Sequence, residues 1–322
     1  MGLVSDSNRK WFIAITAALA ALVEIVDSSI VNVALTEMQS SLGATLSEIG
    51  WVITSYAIAN VIILPLSAWL GDVFGKKRYF IFSLVGFTAS SVLCGLSTSL
   101  WMLIVARILQ GLTGGGLVSK AQSILFETFP KEEQGQAQAL FGIVAISGPA
   151  IGPTLGGYIV TNLDWRWIFF INLPIGIGAV AMAMTFLPED PIAKAVAVTK
   201  DAAGKVIKIG RKIDFLGLIY LVVGLGSLQT VLEEGQSEEW FESKMIVGLS
   251  IAAVVALALF VREELTVAEP VVDLRVLRHR SLAAGSVFSM VLGMGLYGAL
   301  FAVPIFAQSI LKFTAQDTGM LL

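Results

Sequence analysis

Nine stretches of this chain are each long and apolar enough to cross a lipid bilayer as a helix, and no other feature constrains the fold as tightly. They run 11–35, 51–70, 79–96, 101–125, 137–160, 167–187, 215–232, 245–261 and 282–307. About 20 apolar residues span the hydrocarbon core. Within it the backbone can satisfy its polar groups only as helices or closed barrels. The expected fold class is therefore all-α, a polytopic membrane protein of about nine complete spans plus the start of a tenth near Thr314. Composition agrees: 56% of the 322 residues are hydrophobic and only 14% are charged, too little polar surface to clothe a soluble domain. A net charge of −3 gives no basic field for nucleic acid. With one cysteine, Cys94, and one histidine, His279, neither a disulfide framework nor a His/Cys metal centre is available, and no cofactor is expected. An enzyme built on a Ser-His-Asp triad is disfavoured for the same reason.

Charge sets the expected orientation. With the N-terminus in the cytoplasm, the inner segments hold Arg9, Lys10, Lys76, Lys77, Arg78, Lys131, Lys194, Lys200, Lys205, Lys208, Arg211, Lys212, Arg262, Arg275, Arg278 and Arg280. The outer segments hold only Arg166, Lys244 and Lys312, so the positive-inside rule favours this topology. Arg9 and Lys10 precede a first span that reads as a retained anchor rather than a cleaved leader. Loop lengths then divide the chain. Residues 1–188 form a six-helix domain, 189–262 a basic cytoplasmic linker with a two-helix insert, and 263–322 the start of a second helical domain. The tenth span would be cut within the bilayer, so the chain reads as the N-terminal portion of a longer protein. The segment 194–212 reads as a solvated linker near anionic lipid.

Three features narrow the type of membrane protein. After the second span the chain reads Ala68-Trp69-Leu70-Gly71-Asp72-Val73-Phe74-Gly75-Lys76-Lys77-Arg78. An acid at a helix end, a turn glycine and a basic cluster make a compact ionic latch, with Asp72, Gly75, Lys76, Lys77 and Arg78 as its parts. In the fifth span, Gly148, Gly152 and Gly156 fall on one helical face, so another backbone can approach closely. Pro149 and Pro153 allow bending, and Gly157 completes a doubled Gly-Pro ladder. Finally, charges lie inside spans: Glu24 and Asp27 in the first, Arg107 and Lys120 in the fourth. A charge at mid-membrane costs at least about 2.5–3.5 kcal/mol, so a chain that keeps one has a use or a partner for it. Glu24 lies three residues before Asp27 on roughly one helix face, where two carboxylates titrate as a pair. A static ion pair with the fourth span is the structural alternative. Lys120, near the inner end, is read as snorkelling.

These residues together resemble the major facilitator superfamily, and more closely its fourteen-span drug:proton antiporters of the EmrB/QacA type. The turn at 68–78 is similar to the superfamily motif between spans two and three. Arg107-Ile108-Leu109-Gln110-Gly111 is similar to the fourth-span motif, and the Gly-Pro ladder at 148–157 to the antiporter motif. The stretches 26–35, 165–176 and 270–274 match the fourteen-span group. Ala68, Val73 and Thr36 depart from the usual glycine, arginine and proline, and Glu24 and Lys120 stand where relatives carry uncharged residues. The resemblance implies a secondary exporter of hydrophobic, often cationic compounds, driven by proton antiport in the cell (inner) membrane. Asp27, Glu24 and Arg107 would be its proton-coupling and substrate residues. In double-membrane bacteria it also implies a periplasmic adaptor and an outer-membrane channel as partners. A dedicated exporter of a lipid, siderophore or metabolite, and a non-transporting scaffold or sensor, remain as alternatives.

Overall fold

The structure, a computed structural model, describes residues 6–189, 196–200, 206–210, 214–268 and 270–312. It is built almost wholly of helices. Helix α1, Asp6–Leu42, is 37 residues long, about 55 Å at 1.5 Å per residue. It ends where Gly43 takes a φ of +64°. Thr45 then opens α2, Leu46–Phe74, with a reciprocal capping box to Glu48. Gly75, at a φ of +92°, turns the chain directly into α3, Lys76–Gly95. Ser99 caps α4, Leu100–Gly114.

The fourth expected span does not run through. It breaks at Gly115 and Gly116, and a second helix, α5, covers Leu117–Thr128. Gly116 sits at a φ of +86°, which a side-chain-bearing residue rarely adopts. A Cβ on Gly115 would fall 2.0 Å from Ile63 Cγ2, and one on Gly116 2.8 Å from Ser67 Cβ, so α2 leans against the break. Helix α6, Gln134–Asn162, carries Pro149 and Pro153 without interruption. The sixth span begins as a single turn, α7, Trp167–Phe170, and continues as α8, Asn172–Phe186.

The basic linker contains a short antiparallel ribbon, β1 Val196–Lys200 against β2 Val206–Gly210, with Val198 opposite Lys208. Alternating β-branched residues favour this pairing, a pattern masked in the sequence by the lysines. Then come α9, Phe215–Glu234, capped by Asp214, and α10, Lys244–Thr266. The last, α11, Arg280–Ser309, covers the ninth expected span. The start of the tenth, near Thr314, lies outside the described residues.

Among the described residues eight helical segments are long and apolar enough to cross a membrane, the α4–α5 and α7–α8 pairs each counting as one. Packing follows the inverted logic of a membrane protein. Small residues of α1 (Ala14, Ala17, Ala20, Ala21, Ala34) are fully buried at the bundle centre, while large apolar side chains such as Phe82, Ile143, Ile146 and Val254 face outward where lipid would lie. Helix α1 is central, packed on α6, α5 and α8. The α9–α10 hairpin packs on the outer face of α2 through Leu66, Leu221, Phe260 and Val271.

Candidate functional site: a buried charge network across the bundle

Asp27 lies on α1 with no exposed surface, and Arg107 on α4 is 1% exposed. A buried ion pair persists only when its remaining donors and acceptors find partners, and here both carboxylate oxygens and the Nε and Nη1 of the guanidinium do. Arg107 Nη1 donates to Asp27 Oδ2 at 2.6 Å and to Gln110 Oε1 at 2.7 Å. Arg107 Nε donates to the Val52 carbonyl of α2 at 3.2 Å. The guanidinium stacks 3.9 Å from the Tyr56 ring. The other carboxylate oxygen, Asp27 Oδ1, accepts from Gln110 Nε2 at 2.9 Å and from Asn172 Nδ2 of α8 at 2.8 Å. Asn172 also donates to Ser91 Oγ at 3.0 Å, and Ser91 donates to the Phe169 carbonyl. One carboxylate thus ties α1 to α4 and α8, with α2 and α3 in the second ring of contacts.

Glu24 has its own surroundings. Its Oε1 accepts from Asn60 Nδ2 of α2 at 3.0 Å, and its Oε2 from the Val118 amide at 2.9 Å. That amide is free because the helix breaks at Gly115 and Gly116: Glu24 caps the new N-terminus of α5 inside the membrane, where the helix dipole favours a negative group. The expected coupling of Glu24 and Asp27 on one face is therefore resolved into two sites. Three residues advance a helix by about 300°, and the remaining offset sends the two acids to different neighbours. A side-chain route joins them, since Asn60 Nδ2 also reaches Tyr56 Oη at 3.4 Å and Tyr56 lies against Arg107. Lys120 does not snorkel outward. Its ammonium donates to Ser83 Oγ at 2.8 Å and stands 3.7 Å from the Tyr79 ring centre.

The turn at 68–78 distributes its charges. Asp72 and Arg78 are exposed. Lys76 pairs with Glu127 at the end of α5, and Lys77 pairs with Glu189 at 2.9 Å while donating to the Met184 carbonyl. The Lys77 ammonium holds the Glu189 carboxyl below the usual carboxylate range. Lys10 pairs with Glu133 at the same end. Asp72, Tyr79, Lys120 and Ser123 line a cavity of about 200 Å³ there.

In α6 the glycine face meets α1 at the turn that carries Asp27. A Cβ on Gly148 would lie 2.6 Å from Ile25 Cγ2, one on Gly152 1.9 Å from Ser29 Oγ, and one on Gly156 2.8 Å from Ile30 Cγ1. Gly157 points elsewhere, with nothing within 4 Å. Beside the Arg107 network, α2 and α4 enclose an apolar groove of about 570 Å³, lined by Trp51, Ser55, Ile58, Ile104, Ile108 and Leu112. Sequence reasoning missed Gln110, Asn172, Asn60, Tyr56 and this groove. The available signal was an amide at an apolar-run position: Gln110 beside Arg107, and Asn172 within 165–176.

The sequence model of the family described as Major Facilitator Superfamily matches residues 17–322. Among curated relatives, the Multidrug export protein EmrB of Escherichia coli (strain K12) is 37% identical over 307 residues, covering 95% of this chain and 57% of that protein. The Fatty acid resistance protein FarB of Neisseria gonorrhoeae is 34% identical over 309 residues, covering 96% and 58%. The chain spans a little over half the length of these relatives. Among solved structures, the proton:xylose symporter XylE bound to 6-bromo-6-deoxy-D-glucose superposes with a TM-score of 0.59 at 15% identity, covering 98% of this chain and 66% of that one. An auto-inhibited POT family peptide transporter superposes at 0.50 with 20% identity, covering 79% and 51%. At such identities the likeness is one of fold.

Proposed function

The chain belongs to the major facilitator superfamily, and on that premise we propose that it is part of a secondary exporter that moves hydrophobic, often cationic compounds out of the cell in exchange for protons. The observation that carries the reading is the fully buried Asp27–Arg107 pair, with Gln110 and Asn172 closing the same carboxylate. Similarity to EmrB supports multidrug export as the broad activity.

The chemistry follows from the geometry. While Asp27 is ionised, it holds Arg107, and through it α4, against α1 and α8. Protonation removes the charge that attracts Arg107, leaving the guanidinium to Gln110, Val52 and the Tyr56 and Phe169 rings. A cationic substrate competes for the same anionic site, and so does the proton. Exchange needs exactly such mutual exclusion between two ligands of one carboxylate. Glu24 supplies a second anionic position, reached through Asn60 and Tyr56. The apolar groove between α2 and α4 offers non-polar contact at moderate selectivity. Rocking of this six-helix unit against a second one provides alternating access. The basic skew of the loops supports a cytoplasmic N-terminus in a cell (inner) membrane. In a double-membrane host the proposal includes a periplasmic adaptor and an outer-membrane channel as partners.

The test is transport by the intact protein in liposomes across roughly pH 5.5 to 8.5, a window that brackets the titration range of perturbed carboxylates. Asp27→Asn should abolish proton-driven export and flatten the pH dependence of substrate binding, with expression unchanged. Proton coupling equal to that of the wild type would overturn the role of Asp27. A second reading, export of a dedicated amphiphile, draws on the similarity to FarB and on the apolar groove. A substrate panel in the same liposomes separates the two.

A further inference from the structure

At the end of the molecule that carries the α2–α3 turn, two acids outside the transport network meet beside Gly217. Glu264, on the last turns of α10, has no exposed surface. Its Oε2 accepts from the Val272 amide at 3.1 Å, while its Oε1 is buried without a hydrogen-bond partner. Asp214 uses Oδ1 to cap α9 through the Gly217 amide at 2.8 Å, and its Oδ2 is likewise buried without a partner. Both orphan oxygens come within 3 Å of the point where a Cβ on Gly217 would stand: Asp214 Oδ2 at 2.4 Å and Glu264 Oε1 at 2.9 Å. Two buried carboxylate oxygens this close together, each without a protein donor, repel unless something positive lies between them.

Among the described residues no cation reaches them: the charges beside Glu264 are Asp214, the cap of α9, and Glu263 on α10 itself, both acidic. Arg275 is turned away, donating to the Leu265 and Val267 carbonyls, and its amide is held by Asp273. From α2 the neighbourhood receives Leu66, Trp69 and Leu70, with Asp72 as the charge at that helix end. No group of three or more metal-ligating side chains exists among the described residues.

We propose that Glu264 and Asp214 share one proton, Glu264 donating from Oε1 to Asp214 Oδ2, and that this shared proton clamps the insert to the segment 270–274. Glu264 holds the Val272 amide, and Val271, Val272 and Leu274 pack with Leu66, Trp69 and Leu70 of α2. The clamp therefore fastens the connection between insert and α11 onto the helix that ends in the charged turn. Loss of the proton to water leaves two buried anions side by side, and the segment lifts. The clamp is present at low pH and is lost as pH rises through the pair's deprotonation. It is independent of Asp27 and of what the protein transports.

Hydrogen exchange of the intact protein in lipid nanodiscs reads this directly. After correction for intrinsic exchange, protection of the Val272 amide should fall by up to about tenfold per pH unit over the range in which the closed pair still holds its proton and the opened form does not, because one proton then leaves per opening. Glu264→Gln keeps a donor toward Asp214, and Asp214→Asn keeps one toward Glu264, so both should give protection that no longer depends on pH. Protection in the middle of α10 reports whether each variant is folded. Flat protection in the wild type across roughly pH 6 to 9, or an unchanged slope in a folded Glu264→Gln protein, would overturn the proposal. Recovery of wild-type protection at high pH on adding Na⁺ or Ca²⁺ would also overturn it, in favour of a cation site.

Discussion

Among single residues, Asn172 is the most informative. It is an uncharged side chain in the sixth span, yet its amide completes Asp27 Oδ1 and anchors to Ser91. A hydrogen bond to a buried charge is worth about 1.5–3 kcal/mol. Asn172→Leu removes the donor while keeping the same branched heavy-atom skeleton. It should lower the melting temperature of the detergent-solubilised protein by several degrees and reduce transport, because Asp27 Oδ1 loses one of its two donors. A melting temperature and transport rate equal to the wild type would mean that Gln110 and Arg107 suffice to hold the acid. The two charges of this site were legible from sequence because a charge within a span carries a penalty that marks it. Asn172, Gln110 and Asn60 carry a smaller penalty and occur often enough in spans to escape notice. Only the fold, which brings residues 27 and 172 together across the bundle, reveals them as partners.

At the level of the element, the Gly-Pro ladder and the fourth-span break show two kinds of glycine. The ladder's spacing gave away its packing face, since Gly148, Gly152 and Gly156 recur every four residues and meet α1. The break did not announce itself. Gly114, Gly115 and Gly116 lie in an apolar run that reads as one helix, and the Glu24 that caps the second half comes from another helix 94 residues away. A contrast within the ladder separates close packing from a sequence signature without mechanical meaning. Gly152→Ala drives a Cβ into Ser29 Oγ, next to Asp27's turn, and should destabilise by about 1–3 kcal/mol. Gly157→Ala meets open space and should stay within about 0.5 kcal/mol of the wild type. Thermal unfolding of both in the same detergent reads the difference. Equal melting temperatures would deny the α1–α6 contact its importance.

For the whole molecule, the question is how one end is held while the other moves. Lys10–Glu133, Lys76–Glu127 and Lys77–Glu189 all lie at the α2–α3 turn end and link α1, α3, α5, α6 and the residues after α8. Exposed pairs contribute roughly 0–1 kcal/mol each. Their joint effect is to brace the six-helix unit rather than to stabilise it strongly. The Lys77–Glu189 pair holds at neutral pH and is lost only as acid protonates Glu189, whose carboxyl sits below the ordinary range. Asp72 stands at the cavity that also receives Lys120 and Ser123. A conformational bias of about 1.4 kcal/mol, the scale of one charge contact at such a boundary, moves a two-state population tenfold. Asp72→Asn should therefore slow turnover and change the reactivity of a cysteine placed at Ser123 toward a water-soluble maleimide by several-fold, with the melting temperature nearly unchanged. The same cysteine in the Glu133→Gln background should react as in the wild type, because that change loosens the Lys10–Glu133 brace within the unit without altering the state it favours. If Asp72→Asn leaves turnover and labelling alone, the turn is only a topological anchor, and the bias between states must come from Asp27 and Arg107.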